Sequence, residues 1–118
     1  MSESIIKKKS FLFAIRIVKL YQFIVAEKKE FIMSKQMMRS GTSVGANVRE
    51  AINGQSKADF VHKLSIAQKE CDETIYWLEL LKETNYIKQI EFDSINNDAV
   101  EILKIIKSII ISTKQNNS

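Results

Sequence analysis

"MMRSGTSVGANVREA", residues 37–51, is the stretch on which the fold turns. It places Gly41 and Gly45 in a run of small residues bracketed by Arg39 and Arg49, in a chain without proline. Such a stretch is either a loop that cradles phosphate or a helix with a thin waist. A P-loop sets its two glycines five residues apart and follows the second with Lys and Ser/Thr. Here the glycines are four apart and Ala46 follows, so the lysine that would meet the phosphates is missing. The dinucleotide pattern GxGxxG is missing too. Met37, Met38, Gly41, Val44, Val48, Ala51 and Ile52 instead keep the three-and-four rhythm of one helix face. Two helical glycines cost about 2 kcal/mol relative to alanine, and a neighbour packed closely on the waist would offset that. Ser40, Gly41, Ser43, Gly45 and Ala46 supply the small surface, with Gly45 the expected place for a kink. On this reading Gly41→Leu overpacks the contact, while Gly41→Ala is neutral or mildly stabilising if space allows.

Outward from the waist, the same rhythm gives four helices, at about residues 10–27, 31–53, 57–84 and 91–113, in one domain spanning 1–118. The length of 118 residues and an apolar fraction of 45% suit one globular core. In the third helix Phe60, Leu64, Ala67, Cys71, Leu78 and Leu81 share a stripe, with Ile75 beside it. In the fourth, Phe92, Ile95, Ala99, Ile102, Ile106 and Ile109 do the same. Ser56 with Asp59 resembles a helix N-cap with an acid in the first turn. The links "KKE", "GQS" and "NYIKQI" are short, which predicts an all-α, antiparallel up-down-up-down four-helix bundle. Asn47 or Glu50, if turned inward, needs a polar partner, for which Glu73 or Thr74 is available.

The first helix is apolar around almost its whole circumference, with Arg16, Lys19 and Gln22 as a thin polar line. One inward face cannot bury that much, so a second subunit is expected to cover the surplus, with Phe13 and Leu20 taken as outward-facing. The aromatics Phe11, Phe13, Phe23, Phe60 and Trp77 read as core or interface. Arg16 and Lys19 interrupt the N-terminal apolar run, no small-residue cleavage site follows, and the run is too short to span a bilayer. With the single cysteine Cys71 this predicts a soluble, cytoplasmic protein with no membrane partner.

Catalytic constellations are absent from the pattern. His62 is the only histidine, so the Glu-x-x-His pairs of a bundle metal site cannot be assembled. Cys71 lies on an apolar stripe and reads as a structural thiol. No enzyme activity, metal or cofactor is expected. Charge is more informative. Residues 1–57 carry eleven Lys/Arg against four acids, and the remainder seven against ten. That asymmetry implies a polyanion partner, self-association between unlike surfaces, or both. Candidate nucleic-acid contacts are Lys7, Lys8 and Lys9 as a flexible cluster before the first helix, then Arg16, Lys19, Lys35, Arg39, Arg49 and Lys57. Arg39 and Arg49 lead, because guanidinium bonds phosphate bidentately. Their competing role is an internal salt bridge with Glu50 or Glu73.

The stretch "RSGTSVGANVREAINGQSKADFVHKLSIAQKECDET" resembles the signature of the four-helix-bundle family encoded in intervening sequences of bacterial 23S ribosomal RNA genes. Arg39, Ser40, Ser43, Val44, Asn47, Val48, Glu50, Ser56, Phe60, Ala67 and Glu73 occupy matching positions. Gly45 and Ala51 depart from the family's usual proline and glycine, which bears on how sharply the second helix bends. The resemblance implies a homo-oligomeric ring, often a pentamer, and no enzymatic activity. A similar branch, the accessory protein of diversity-generating retroelements, is a basic pentameric barrel that binds nucleic acid and a reverse transcriptase. Two functions follow as expectations: a module binding structured RNA or an RNA–protein complex, and alternatively a protein-interaction scaffold without nucleic-acid binding.

Overall fold

The computed structural model describes residues 2–116. Four α-helices, α1 (Ser2–Phe23), α2 (Met33–Ile52), α3 (Lys57–Glu83) and α4 (Gln89–Gln115), make up the fold, and α1 runs on into a π-helical turn at Ile24–Lys28. Each helix packs on the next in chain order and α4 closes back on α1, forming a four-helix bundle about 52 Å long and about 20 Å across. The described residues contain no strand.

α1 starts at Ser2, eight residues ahead of the expected start at Ser10. Its core seam explains the difference. Ile6, Ser10, Phe13, Ile17 and Ile24 are all buried, at spacings of three, four and seven. Ile6 therefore extends the stripe by one turn, and Lys7, Lys8 and Lys9 are helical residues rather than a flexible lead. Phe13 is 1% exposed and Leu20 packs against the core, so neither is the outward residue the sequence suggested. Those are Ile5, Phe11, Leu12, Ile15 and Phe23.

The waist of α2 lies against α1. An ideal Cβ on Gly41 would stand 2.8 Å from both γ-carbons of Ile17, and one on Gly45 would stand 3.3 Å from the Ser10 carbonyl oxygen. α2 runs through both glycines as unbroken α-helix. On its other side Thr74 of α3 donates to the Ser40 hydroxyl at 2.9 Å, inside the core. The seams expected in α3 and α4 hold with shifts: in α3 Thr74 fills a buried position and Phe60 is only half-buried, and in α4 Leu103 and Ile110 are buried while Ile109 packs at the edge of the core.

The helix ends are locally satisfied. Ser56 accepts the Asp59 N–H at 3.0 Å. At the end of α3 the Asn85 and Tyr86 N–H groups return to the Lys82 and Leu81 carbonyls, with Asn85 left-handed at φ 69, a Schellman closure. The N-terminus of α2 depends on Glu30, whose carboxylate accepts the N–H groups of Ile32, Met33 and Ser34 at 2.8–2.9 Å. Burial pushes this carboxyl upward, but the backbone donors and the Ser34 hydroxyl together outweigh it, so the pKa falls below its ordinary 4.5. A group with a depressed folded pKa stabilises the protein above its unfolded value and loses that contribution as pH falls through the folded one. Glu30→Gln should cost about 1 kcal/mol at pH 7, and its denaturant midpoint should fall less than the parent's on acidification below about pH 5. Parallel pH profiles for the two proteins would refute the assignment.

Candidate nucleic-acid interface

Folding redistributes the charge that is divided along the chain. Lys7 of α1 and Arg49 of α2 line one cavity, Lys63 of α3 bonds Glu50 at 3.0 Å, and Lys57 reaches the Asn116 carbonyl at 3.0 Å. The start of α1, the end of α2, the start of α3 and the end of α4 thus meet at one end of the bundle. Lys7, Lys8, Lys9, Arg49, Lys57, Lys63, Lys104, Lys107 and Lys114 collect there against Glu3, Glu50, Asp59 and Glu101. The opposite end carries Glu27, Glu30, Glu79, Glu83, Glu91 and Asp93 interspersed with lysines. The bundle is a rod with a strongly basic end.

The nominated cations separate into two groups. Lys7, Lys8, Lys9, Arg49 and Lys57 lie at the basic end, while Arg16, Lys19, Lys35 and Arg39 lie toward the other. Several are already engaged. Lys9 pairs with Glu101 at 3.2 Å. Arg16 bonds Asp98 at 2.7 Å and the Ser94 hydroxyl at 3.0 Å. Arg39 bridges Glu70 and Glu73, and hydrogen bonding from Glu73 raises its pKa further. Glu73 also accepts from the Trp77 indole at 3.2 Å. That bond first, and Arg39 with it, holds its carboxyl below the ordinary range despite partial burial. These exposed pairs are each worth about 1 kcal/mol or less, but they orient the arginines along the bundle. Among the described residues Lys7, Lys8, Lys19, Lys35 and Arg49 make no ion pair. Arg49 instead covers the Phe11 ring, 5.2 Å from its centroid.

The other motif positions have local roles. Asn47 donates to the Ser43 carbonyl at 2.9 Å, and the Ser43 hydroxyl donates to Arg39 at 2.7 Å. Glu50 is exposed toward Lys63, so neither Asn47 nor Glu50 turns to Glu73 or Thr74. Burial pushes the Cys71 thiol up to about 12, and its Sγ donates to the Ala99 carbonyl at 3.4 Å, leaving no thiolate near neutral pH. His62 is exposed beside Lys57 and Lys114. No group of metal-ligating side chains occurs among the described residues. No helix among them is long and apolar enough to cross a membrane.

Lys63, Lys104, Lys107 and Lys114 escaped the sequence reading because they fall in its acidic half. The available signal was the short links: the up-down-up-down order expected from them would bring the end of the fourth helix beside the start of the first.

A family model described as 23S rRNA-intervening sequence protein matches residues 2–108. The chain belongs to that family. Its intervening-sequence-protein fold is also seen in a crystal structure from Bacteroides thetaiotaomicron VPI-5482, described as a protein of unknown function from the S23 ribosomal protein family. That structure is 59% identical with a TM-score of 0.92, and the match covers 93% of this chain and 98% of the other. The comparison with curated proteins finds no match.

Proposed function

We propose that this intervening-sequence protein is a non-enzymatic, oligomeric nucleic-acid-binding module of the cytoplasm. Its basic end would grip the phosphates of structured RNA or of an RNA–protein complex. The observation that carries the reading is the gathering of nine lysines and arginines from all four helices at one end, against four acids. Such a surface neutralises phosphates with little regard to sequence. The family description, which refers to 23S rRNA, favours RNA as the polyanion.

An antiparallel up-down-up-down order underlies this reading. It is supported by Ser10 and Ile17 meeting Gly45 and Gly41 in reverse order, and by Glu50–Lys63 and Arg39–Glu73 doing likewise between α2 and α3. A ring-like homo-oligomer is part of the proposal, five subunits being the number the resemblance implies. Ile5, Leu12 and Ile15, each exposed by a third or more on α1, would form the contact. The same apolar face favours the second reading, a protein-interaction scaffold, in which basic residues serve only solubility.

Titration of an RNA hairpin at several salt concentrations separates the two. Binding should weaken steeply with salt, by about 0.9 logarithmic units of affinity per tenfold salt for each phosphate neutralised. Lys104→Glu/Lys107→Glu, at two exposed positions that make no ion pair among the described residues, should lower affinity roughly tenfold or more and flatten the slope. Absence of binding at low salt would leave the scaffold reading.

A further inference from the structure

The furrow between α1 and α2 at the basic end combines three features that the phosphate reading does not use. Phe11 is a large aromatic, 50% exposed on a helix whose core stripe lies elsewhere. Arg49 lies over its ring without an acidic partner among the described residues. Between them opens a cavity of about 250 Å³, with Lys7 and Thr42 on its wall and no carboxylate lining it. The space arises because Ala14, Gly45 and Ala46 carry little side chain where the two helices meet. Lys82, over Phe92 at 4.5 Å, is tied to Glu83 at 3.1 Å.

We infer that this furrow takes one unpaired nucleotide of RNA. The inference rests on the proposed RNA-binding reading and specifies what the basic end recognises beyond phosphate charge. A guanidinium held over an aromatic ring marks a position where a cationic or planar π group is already favoured. A nucleobase is such a group, and it stacks on an exposed aromatic without sequence preference. The base would lie against the Phe11 ring in the furrow, and Arg49, displaced from part of the ring, would turn its fork to the phosphate beside Lys7. Thr42 lines the same wall, and its hydroxyl already donates to the Met38 carbonyl at 2.8 Å, which leaves its oxygen as an acceptor. A duplex cannot offer an unstacked base, so the furrow should distinguish single-stranded from paired RNA.

The test compares an unpaired oligoadenylate and an RNA duplex of equal phosphate count, titrated against wild type, Phe11→Leu and Phe11→Tyr. Phe11 is half exposed, so Leu at this position keeps the fold; circular dichroism checks this. Phe11→Leu should weaken oligoadenylate binding roughly tenfold and leave duplex binding unchanged, while Phe11→Tyr, which keeps the ring, should retain both. Adenosine monophosphate supplies a further arm. Weak binding that Phe11→Leu removes would show that the furrow also accepts a free nucleotide, and no binding would restrict it to a nucleotide held in a strand. Duplex binding with oligoadenylate affinity unaffected by Phe11→Leu would overturn the furrow and leave the phosphate reading standing. Failure of both RNAs to bind wild type at low salt would overturn both.

Discussion

Gly41→Leu is expected to leave the chain largely unfolded or severely destabilised, and Gly41→Ala to lower stability rather than raise it. Helix propensity alone predicts the reverse for alanine, a gain of about 1 kcal/mol. The deciding magnitude is the 2.8 Å separation between a Cβ at position 41 and both γ-carbons of Ile17. Those carbons branch directly from a Cβ that is itself 3.2 Å away, on a side chain with no exposed surface, so no rotamer change clears them. Overpacking of this kind costs typically about 1–3 kcal/mol, enough to cancel the propensity gain and leave a net loss of about 1 kcal/mol for alanine. Leucine adds three more carbons and should exceed the upper figure. Thermal unfolding reads both, at roughly 4 °C per kcal/mol. Ile17→Ala in the Gly41→Ala background should restore part of the loss, a coupling between touching residues. Ile17→Val should not, because valine keeps both γ-carbons. An unchanged or raised melting temperature for Gly41→Ala would mean that α1 and α2 stand further apart than described.

The sequence made the waist readable as a helix because its apolar rhythm passes through the glycines. It could not reveal the partner: the space against α2 is filled by Ile17, a residue no different in type from its exposed neighbour Ile15. The start of α1 was hidden for a related reason. Three consecutive lysines look like a flanking segment, yet a helix needs only one buried residue per turn there, and Ile6 and Ser10 supply them. The buried Ser10 and Ser40 break an apolar pattern while serving it, since small hydroxyls fit at close helix approaches and bond locally, to the Lys7 and Met37 carbonyls. Glu30 was missed in "KKE" because its function comes from the backbone N–H groups that follow it, which its side-chain type does not announce.

Charge was the least readable feature. Dividing the chain at residue 57 sorted the cations by position along the sequence, whereas the fold sorts them by end. Lys9 of α1 pairs with Glu101 of α4, so the first half of α1 and the last half of α4 are neighbours. Arg39, ranked with Arg49 first for phosphate, lies between Glu70 and Glu73, and its bridge to Glu73 is the competing role the sequence also allowed. Lys104 and Lys107, in the acidic half, reach the basic end without acidic partners among the described residues. Arg49 was singled out as a candidate phosphate contact and not as the cover of an aromatic ring, since residues 11 and 49 are brought together only by the α1–α2 packing.

Opposite outcomes are expected for aspartate at two adjacent positions of α1. Phe13→Asp places a carboxylate where the side chain is 1% exposed among Ile17, Val44 and the rest of the core cluster. It forfeits about 3–5 kcal/mol of aromatic burial and cavity cost, and adds the penalty of burying a charge without a partner. For a domain of this size the sum approaches or exceeds total stability, so helicity itself should collapse, or return only below the pH at which the new carboxyl is protonated. Leu12→Asp, one residue away, points to solvent with 50% exposure and should cost little in the isolated bundle. Its expected effect is on assembly: a charge placed within the proposed apolar contact of Ile5, Leu12 and Ile15 desolvates on association and opposes it. Sedimentation of Leu12→Asp at micromolar concentration should therefore give a mass near the single-chain 13.6 kDa, with wild-type helicity and a larger mass for wild type. A wild-type mass already at the single-chain value would remove the ring from the proposal. A wild-type oligomer that Leu12→Asp leaves intact would move the contact to another face, for which Phe31 and Ile32 at the opposite end, 56% and 77% exposed, are the next residues to substitute.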